Sequence, residues 1–596
     1  MILNMFDWSF IILFFVVSLG IGIGVSRKAG SNSSEFFLSG RNMPWWLLGV
    51  SMVATTFSAD TPNLVTDIVR QNGVSGNWVW WAFLLTGMLT VFVYAKLWRR
   101  SGAMTDLEFY EMRYSGKGAA FLRGFRAIYL GVFFNVLIMA SVSLAMIKIA
   151  GVMLQWTPFQ TLLVASVITV AYSALGGLRG VLITDFFQFF IAMIGAIGAA
   201  MVAVNLPEVG GLQNLFANEL VAPKLNLLPS FSDTDAVLTL LVLPLAVQWW
   251  SVWYPGAEPG GGGYIAQRML SAKSESHAMG ATLFFNAAHY ALRPWPWILV
   301  ALASLVVFPD IASLQKAFPH IDPAVVKHDL AYPAMLTYLP HGLLGLVIAS
   351  LIAAFMSTLS THLNWGSSYV VHDFYRRFVN PEADEKQLVK IGRLSTVVLM
   401  ILAAGMALLL SNALQAFNIL LQIGAGTGLL FILRWFWWRI NAYSEISAMI
   451  ASFGVALFLQ FVYPLFGLPE LSTAVQLVTG IGITTVVWII VTLLTPPTDD
   501  KTLRSFYNLV KPGGPGWAIV LEKAQEENDP IDDDAKGWDV PMGIIAMVVG
   551  CLAVYSALFA TGYWLYGKST MAVVLTIVAA AAAFLLSRLW KKIKVG

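Results

Sequence analysis

The sequence predicts an all-α polytopic membrane protein with about 15 transmembrane helices, and three observations predict it. Of the 596 residues, 58% are hydrophobic and only 12% charged, about half the charged share of an ordinary soluble domain; the mean hydropathy is +0.72. Apolar runs of ~20 residues, the length that crosses the hydrocarbon core, recur along the whole chain. Two of these runs, the second and the seventh, are interrupted by Pro, Gly and a carboxylate. They lie five helices apart, and an odd spacing places corresponding helices in opposite orientation across the membrane.

In order, the apolar runs cover about 7–26, 45–71, 77–99, 121–154, 159–175, 180–204, 235–256, 275–308, 342–378, 386–410, 413–438, 444–465, 472–495, 541–566 and 570–590. The first has no basic residue before it and is followed by Arg27 and Lys28. It reads as a retained helix rather than a cleavable signal. Lys96, Arg99, Arg100, Arg113, Arg179, Arg268, Lys273, Arg376, Arg377, Arg434, Arg439 and Lys591 fall on one side. That places the N-terminus outside and the C-terminus in the cytoplasm, as an odd helix count requires. The membrane expected is the cell's plasma (inner) membrane. A net charge of +3 with basic residues at helix ends does not suggest nucleic acid. The single Cys551 excludes a disulfide or a CxxC metal site within the chain. Between the runs, 205–234 is polar and Pro-rich, and 309–341 is expected to hold a short helix around 323–337. The segment 496–540, with KPGGPG and EENDPIDDD, reads as a cytoplasmic loop and a solvated linker without chemistry.

The run 342–378 carries hydroxyls in a stripe. Ala354, Ser357, Thr358 and Thr361 are spaced i, i+3, i+4 and i+7, with Ser360 on the flank. Hydrocarbon offers hydroxyls no partner, so this stripe either packs helices together or builds a dehydrated cation site. The two breaks are ATTFSADTPN (Ala54–Asn63, with Asp60 and Thr61) and PGAEPGGGG (Pro255–Gly263, with Glu258). An unwound turn exposes carbonyls for a cation and N–H donors for a solute, although Gly and Pro also occur as simple kinks.

Three further strings carry a resemblance: AYSALGGLRGVLITDFFQ (Ala171–Gln188), MSTLST followed by HDFYRR (Met356–Arg377), and YIAQRMLSAKS (Tyr264–Ser274). Together they resemble the sodium:solute symporter family, the group of the sodium/glucose cotransporters and the sodium/proline permease, over roughly residues 1–440. The resemblance implies two inverted five-helix repeats with broken first helices, at 45–204 and 235–438. One helix (1–44) precedes them, and two accessory helices (439–495) and two C-terminal helices (541–596) follow. It also implies a main sodium site from the carbonyls of Ala54, Phe57 and Ala354 and the hydroxyls of Ser357 and Thr358. A second sodium site would use Asp185, Ser357, Ser360 and Thr361, so one or two Na+ are expected. In the solute pocket, His289 falls where sugar-transporting members place a lysine, and Gln422 falls on a sugar-contacting glutamine. Glu258 departs from the pattern by replacing a gating tyrosine. No match is found for a pocket glutamate near Asn77, Trp78, Trp80 and Trp81. Asp60, Thr61 and Trp81 join the pocket candidates, as do Asn286 and Arg293, which share a face with His289 at i, i+3 and i+7.

The expected activity is sodium-driven import of a small polar solute, with a sugar as the leading candidate, by alternating access. If Arg293 faces the pocket, a carboxylate such as a sugar acid or an amino acid is favoured; an ion pair of Arg293 with Glu258 or a contact with a lipid head group competes with that reading. Proton coupling through Asp60 and Asp185 and a transporter-like sensor are the remaining alternatives. No nucleophile elbow, metal cluster or phosphate loop points to an enzyme. The partners expected are the solute and membrane lipids, with no required protein partner.

Overall fold

The structure is a computed structural model that describes residues 3–593 apart from 30, 252–257, 411–425, 468, 470, 530 and 532–537. Among these, the regular elements are helices, and the one pairing outside them is a parallel bridge between Met43 and Ala272. Ten helical stretches are long and apolar enough to cross a membrane, and four shorter apolar helices accompany them. The protein is an all-α multi-pass membrane protein.

The chain runs through α1 (Met5–Ala29), then α2 (Trp45–Thr56) and α3 (Asp60–Asn72). The stretch α4 (Val74–Ser101), α5 (Gly116–Leu154) and α6 (Pro158–Val204) follows. Next come α7 (Thr234–Ala246), α8 (Gly263–Ser271), α9 (Glu275–Val307) and α10 (Leu343–Val379). Beyond are α11 (Glu385–Ala407), α12 (Gly428–Leu433), α13 (Ala442–Leu457) and α14 (Thr473–Leu494). Two short helices, α15 (Asp500–Val510) and α16 (Ala518–Glu526), precede α17 (Val540–Leu565) and α18 (Ser569–Trp590).

The first expected interruption is real. Backbone angles at Phe57 (φ −86, ψ 75) end α2, and α3 starts afresh at Asp60. Pro62 has no N–H to give the carbonyl four residues back, so an unbroken helix is not available there. At the second interruption, Gly260 and Gly261 take φ of +86 and +88. A Cβ at Gly260 would meet the Tyr94 ring at 3.1 Å, so both the conformation and the close approach call for glycine. The expected helices at 159–175 and 180–204 form the two arms of α6, joined at Gly177 (φ 52, ψ −162). In α9 a wide turn over Ala288–Leu292 precedes Pro294 and Pro296, which cannot donate to the preceding turn. α10 packs along α6 and also touches α1, α2 and α11, so it lies at the centre of the bundle.

The polar stretch 309–341 holds the short helix expected around 323–337, at Ala331–Leu336, and a further one at Ile311–Ala317. One expectation is corrected. Over its described helices α15 and α16, the segment 496–540 is packed rather than a solvated linker. Leu503, Phe506, Tyr507 and Val510 are buried along one face of α15 at i, i+3, i+4 and i+7. Trp517 is 0% exposed and donates its indole N–H to the Trp435 carbonyl at 2.9 Å. The Arg113 guanidinium lies over both Trp517 (4.9 Å) and Phe506 (5.5 Å). The charged runs around this helix masked its apolar stripe.

Candidate sodium and solute sites

The end of α2 meets the hydroxyl stripe of α10. The Thr358 hydroxyl lies 2.7 Å from the Thr55 carbonyl and 3.1 Å from that of Ala354. The Ala54 carbonyl accepts from the Phe57 N–H at 3.1 Å in the last turn before the break. Ala54, Phe57, Ala354, Ser357 and Thr358 are all buried. The break thus leaves final-turn carbonyls beside buried hydroxyls, an all-oxygen donor set suited to a small hard cation.

At the neighbouring Ser357 and one turn on at Thr361, the α10 stripe meets α6 and α8. Ser357 donates to Asp185 Oδ1 at 2.6 Å, and Ser51 of α2 donates to Oδ2 at 2.5 Å. Arg268 of α8 stands 3.8 Å from Asp185 and donates to Thr361 (2.8 Å) and Ser51 (3.1 Å). Thr361 also shares a 3.0 Å hydrogen bond with Thr55, and Ser360 donates back to the Ser357 carbonyl at 3.1 Å. Four helices therefore converge on one buried carboxylate. Sequence reasoning singled out Asp185, Ser357, Ser360 and Thr361 but missed Ser51, Thr55 and Arg268. Ser51 and Thr55 are one turn apart on α2, a small polar pair at i, i+4 that could have drawn notice.

On the other side of the break, α9 meets α2. Arg293 Nη2 lies 3.1 Å from His289 Nε2, and a guanidinium only donates, so Nε2 accepts. The His289 proton then sits on Nδ1, 3.0 Å from the Thr56 hydroxyl oxygen, and Thr56 in turn donates to the Val53 carbonyl at 2.9 Å. Arg293 Nη1 reaches the same Thr56 oxygen at 3.2 Å. Both nitrogens of His289 are engaged in this arrangement. Asp60 opens α3 without forming an ion pair with Arg293, and Thr61 donates to the Thr56 carbonyl at 3.3 Å. Trp80 lies edge-on to His289 (5.7 Å) and stacks on Tyr290 (5.8 Å). Trp81, the expected candidate, turns instead to α17, against Phe559 (6.0 Å), and its carbonyl accepts from Tyr555 at 2.8 Å. Asn286 is buried against Gly87 of α4, where a Cβ would fall 1.7 Å from Oδ1. Gln422 lies outside the described residues.

The family model described as "Sodium:solute symporter family" matches residues 36–452, more than two thirds of the chain. The chain belongs to the sodium:solute symporter family. A sodium/glucose cotransporter of Vibrio parahaemolyticus is 28% identical over 482 residues, covering 77% of this chain and 86% of that one. A sodium/mannose cotransporter of Bos taurus is 26% identical over 493 residues, covering 78% and 80%. The solved structure of a Na+-coupled sialic acid symporter in a substrate-bound outward-open state has a TM-score of 0.67 at 21% identity, covering 83% of this chain and 99% of that one. The fold is therefore that of the inverted-repeat transporters.

In this symporter Glu258 has a different neighbourhood from the one considered for it. It pairs with Arg126 of α5 at 2.6 Å, and no ion pair joins it to Arg293 among the described residues. Arg126 also lies 3.6 Å from Glu445, which pairs with Arg434 at 3.3 Å. The backbone after Glu258 is held as well: Trp98 donates to the Gly260 carbonyl (2.8 Å), and Asp106 accepts from the Gly263 N–H (2.8 Å). The second break is thus pinned by α4, α5 and the link between them, while the first break opens onto the His289–Arg293 cluster.

Proposed function

We propose that this symporter imports a small polar, sugar-like solute, driven by Na+, by alternating access. The observation that carries this reading is the meeting of the α2 end with the α10 hydroxyls through Thr358 and Thr55. An ion held by the carbonyls of Ala54, Phe57 and Ala354 and the hydroxyls of Ser357 and Thr358 would tie the two repeats together. That favours one state of the bundle and makes ion and solute binding reciprocal. The solute would lie beside the same break, among Thr56, Asp60, Thr61 and Trp80. Relatives named for glucose and mannose transport support a sugar-like cargo.

The Asp185 cluster would hold a second ion, giving one or two Na+ per cycle. Each charge moved through the field adds ~2.3 kcal/mol per 100 mV. The basic ends of the helices favour an N-terminus outside and a C-terminus in the cytoplasm of the plasma membrane, with the Arg126–Glu258 pair towards the cytoplasm. Uptake into proteoliposomes with Na+ replaced by choline tests the reading. Loss of uptake is expected, and uptake that survives the swap and follows a proton gradient would replace sodium with proton coupling.

A further inference from the structure

Resting on the symport reading above, we infer that the solute carries a carboxylate and that Arg293 is the residue that selects it. Arg126, Arg268 and Arg434 face Glu258, Asp185 and Glu445 at 2.6, 3.8 and 3.3 Å. Arg70 and Arg113 have no carboxylate that close but rest on strongly polar backbone carbonyls, those of Ser304 and Phe308 and those of Arg434 and Trp437. Arg293 is 1% exposed and, among the described residues, has neither within ion-pair or hydrogen-bond distance. Among the described residues its acceptors are two neutral side-chain atoms, Thr56 Oγ1 and His289 Nε2, and its Nε–H has none. The Trp297 ring beneath it (5.3 Å) adds only a weak attraction.

A guanidinium taken out of water without an anion or a set of carbonyls is costly. Its planar fork matches a carboxylate, with two parallel N–H···O bonds. Arg293 lies one hydrogen bond behind Thr56, which is partly exposed together with Asp60, Thr61 and Trp80. A solute arriving at the break therefore meets this fork next. Trp80 supplies a flat apolar face for a sugar ring at the same place. Asp60 stays beyond ion-pair distance of Arg293 and does not engage its fork, so a solute carboxylate is left to match it. Neutral sugars lack that group and leave the fork unmatched.

The test uses the purified full-length chain in detergent, with thermal shifts measured in NaCl and in choline chloride. The probes are D-glucose, D-mannose, D-glucuronate, D-gluconate and a set of α-amino acids. Protection by one or more of the carboxylates, only in NaCl, is expected. Arg293→Gln should weaken the apparent affinity for that probe by about 10- to 100-fold, Arg293→Lys should restore part of it, and the shift caused by Na+ alone should persist in both variants. Protection by neutral sugars alone, protection by no carboxylate in the set, or an Arg293→Gln variant that binds its acid as wild type does would each overturn the inference. A wild-type chain that fails to respond to Na+ itself counts instead against the symport reading.

Discussion

The hydroxyl of Thr358 lies 2.7 Å from the carbonyl of Thr55, 303 residues earlier in the chain. This hydrogen bond joins the central helix of the bundle to the last turn before the first break. Changing Ser357 and Thr358 together to Ala should abolish sodium-stimulated uptake at normal expression. Sodium titration of uptake is the measurement, and an apparent sodium affinity equal to wild type would remove these residues from the ion site.

Asp185 gathers Ser51, Ser357 and Arg268 around one buried carboxylate. Asp185→Asn should lower the sodium Hill coefficient towards one; a wild-type coefficient already at one rules out the second ion. Arg268→Gln alone leaves Asp185 as a buried charge without its cation and should destabilise the protein by ~3–5 kcal/mol. The double variant should recover much of this loss, a coupling that a thermal double-mutant cycle reads directly.

The Glu258–Arg126 pair ties the loop of the second break to α5. Glu258→Gln keeps the volume and removes the charge, so it should raise the population of the inward-open state. Labelling of cysteines introduced beside α8 should speed up severalfold relative to the parent chain. An unchanged labelling rate would make the pair a purely static contact.

Trp517 is enclosed by Trp435, Phe506, Tyr507 and Arg113. Trp517→Ala should destabilise the chain by ~3–5 kcal/mol, seen as a lower melting temperature in detergent. Sodium affinity should stay within about twofold of wild type, because the site is built from other helices. A melting temperature equal to wild type would mean that α15 and α16 are not docked in solution.

What could be read from residue order follows from local periodicity. The apolar runs, the matched breaks and the stripe of Ala354, Ser357, Thr358 and Thr361 are patterns within one helix, and a helix displays them without its neighbours. The sequence by itself thus determined the class of molecule, the central helix and most of the hydroxyl donors. The partners of those donors lay beyond its reach, because Ser51 and Asp185 are 134 residues apart and Thr55 and Thr361 are 306 apart.

The same limit explains Glu258, Trp80 and α15. A carboxylate beside a break has no partner legible in the sequence, and the fold brings Arg126 within 2.6 Å of it. Three tryptophans, Trp78, Trp80 and Trp81, differ only in the way each faces, and packing against α9 or α17 decides it. Identity and spacing along the chain are one-dimensional properties and were settled before folding. Which charge neutralises which, and which arginine is left without an anion, are settled by distances that exist only once the helices are packed.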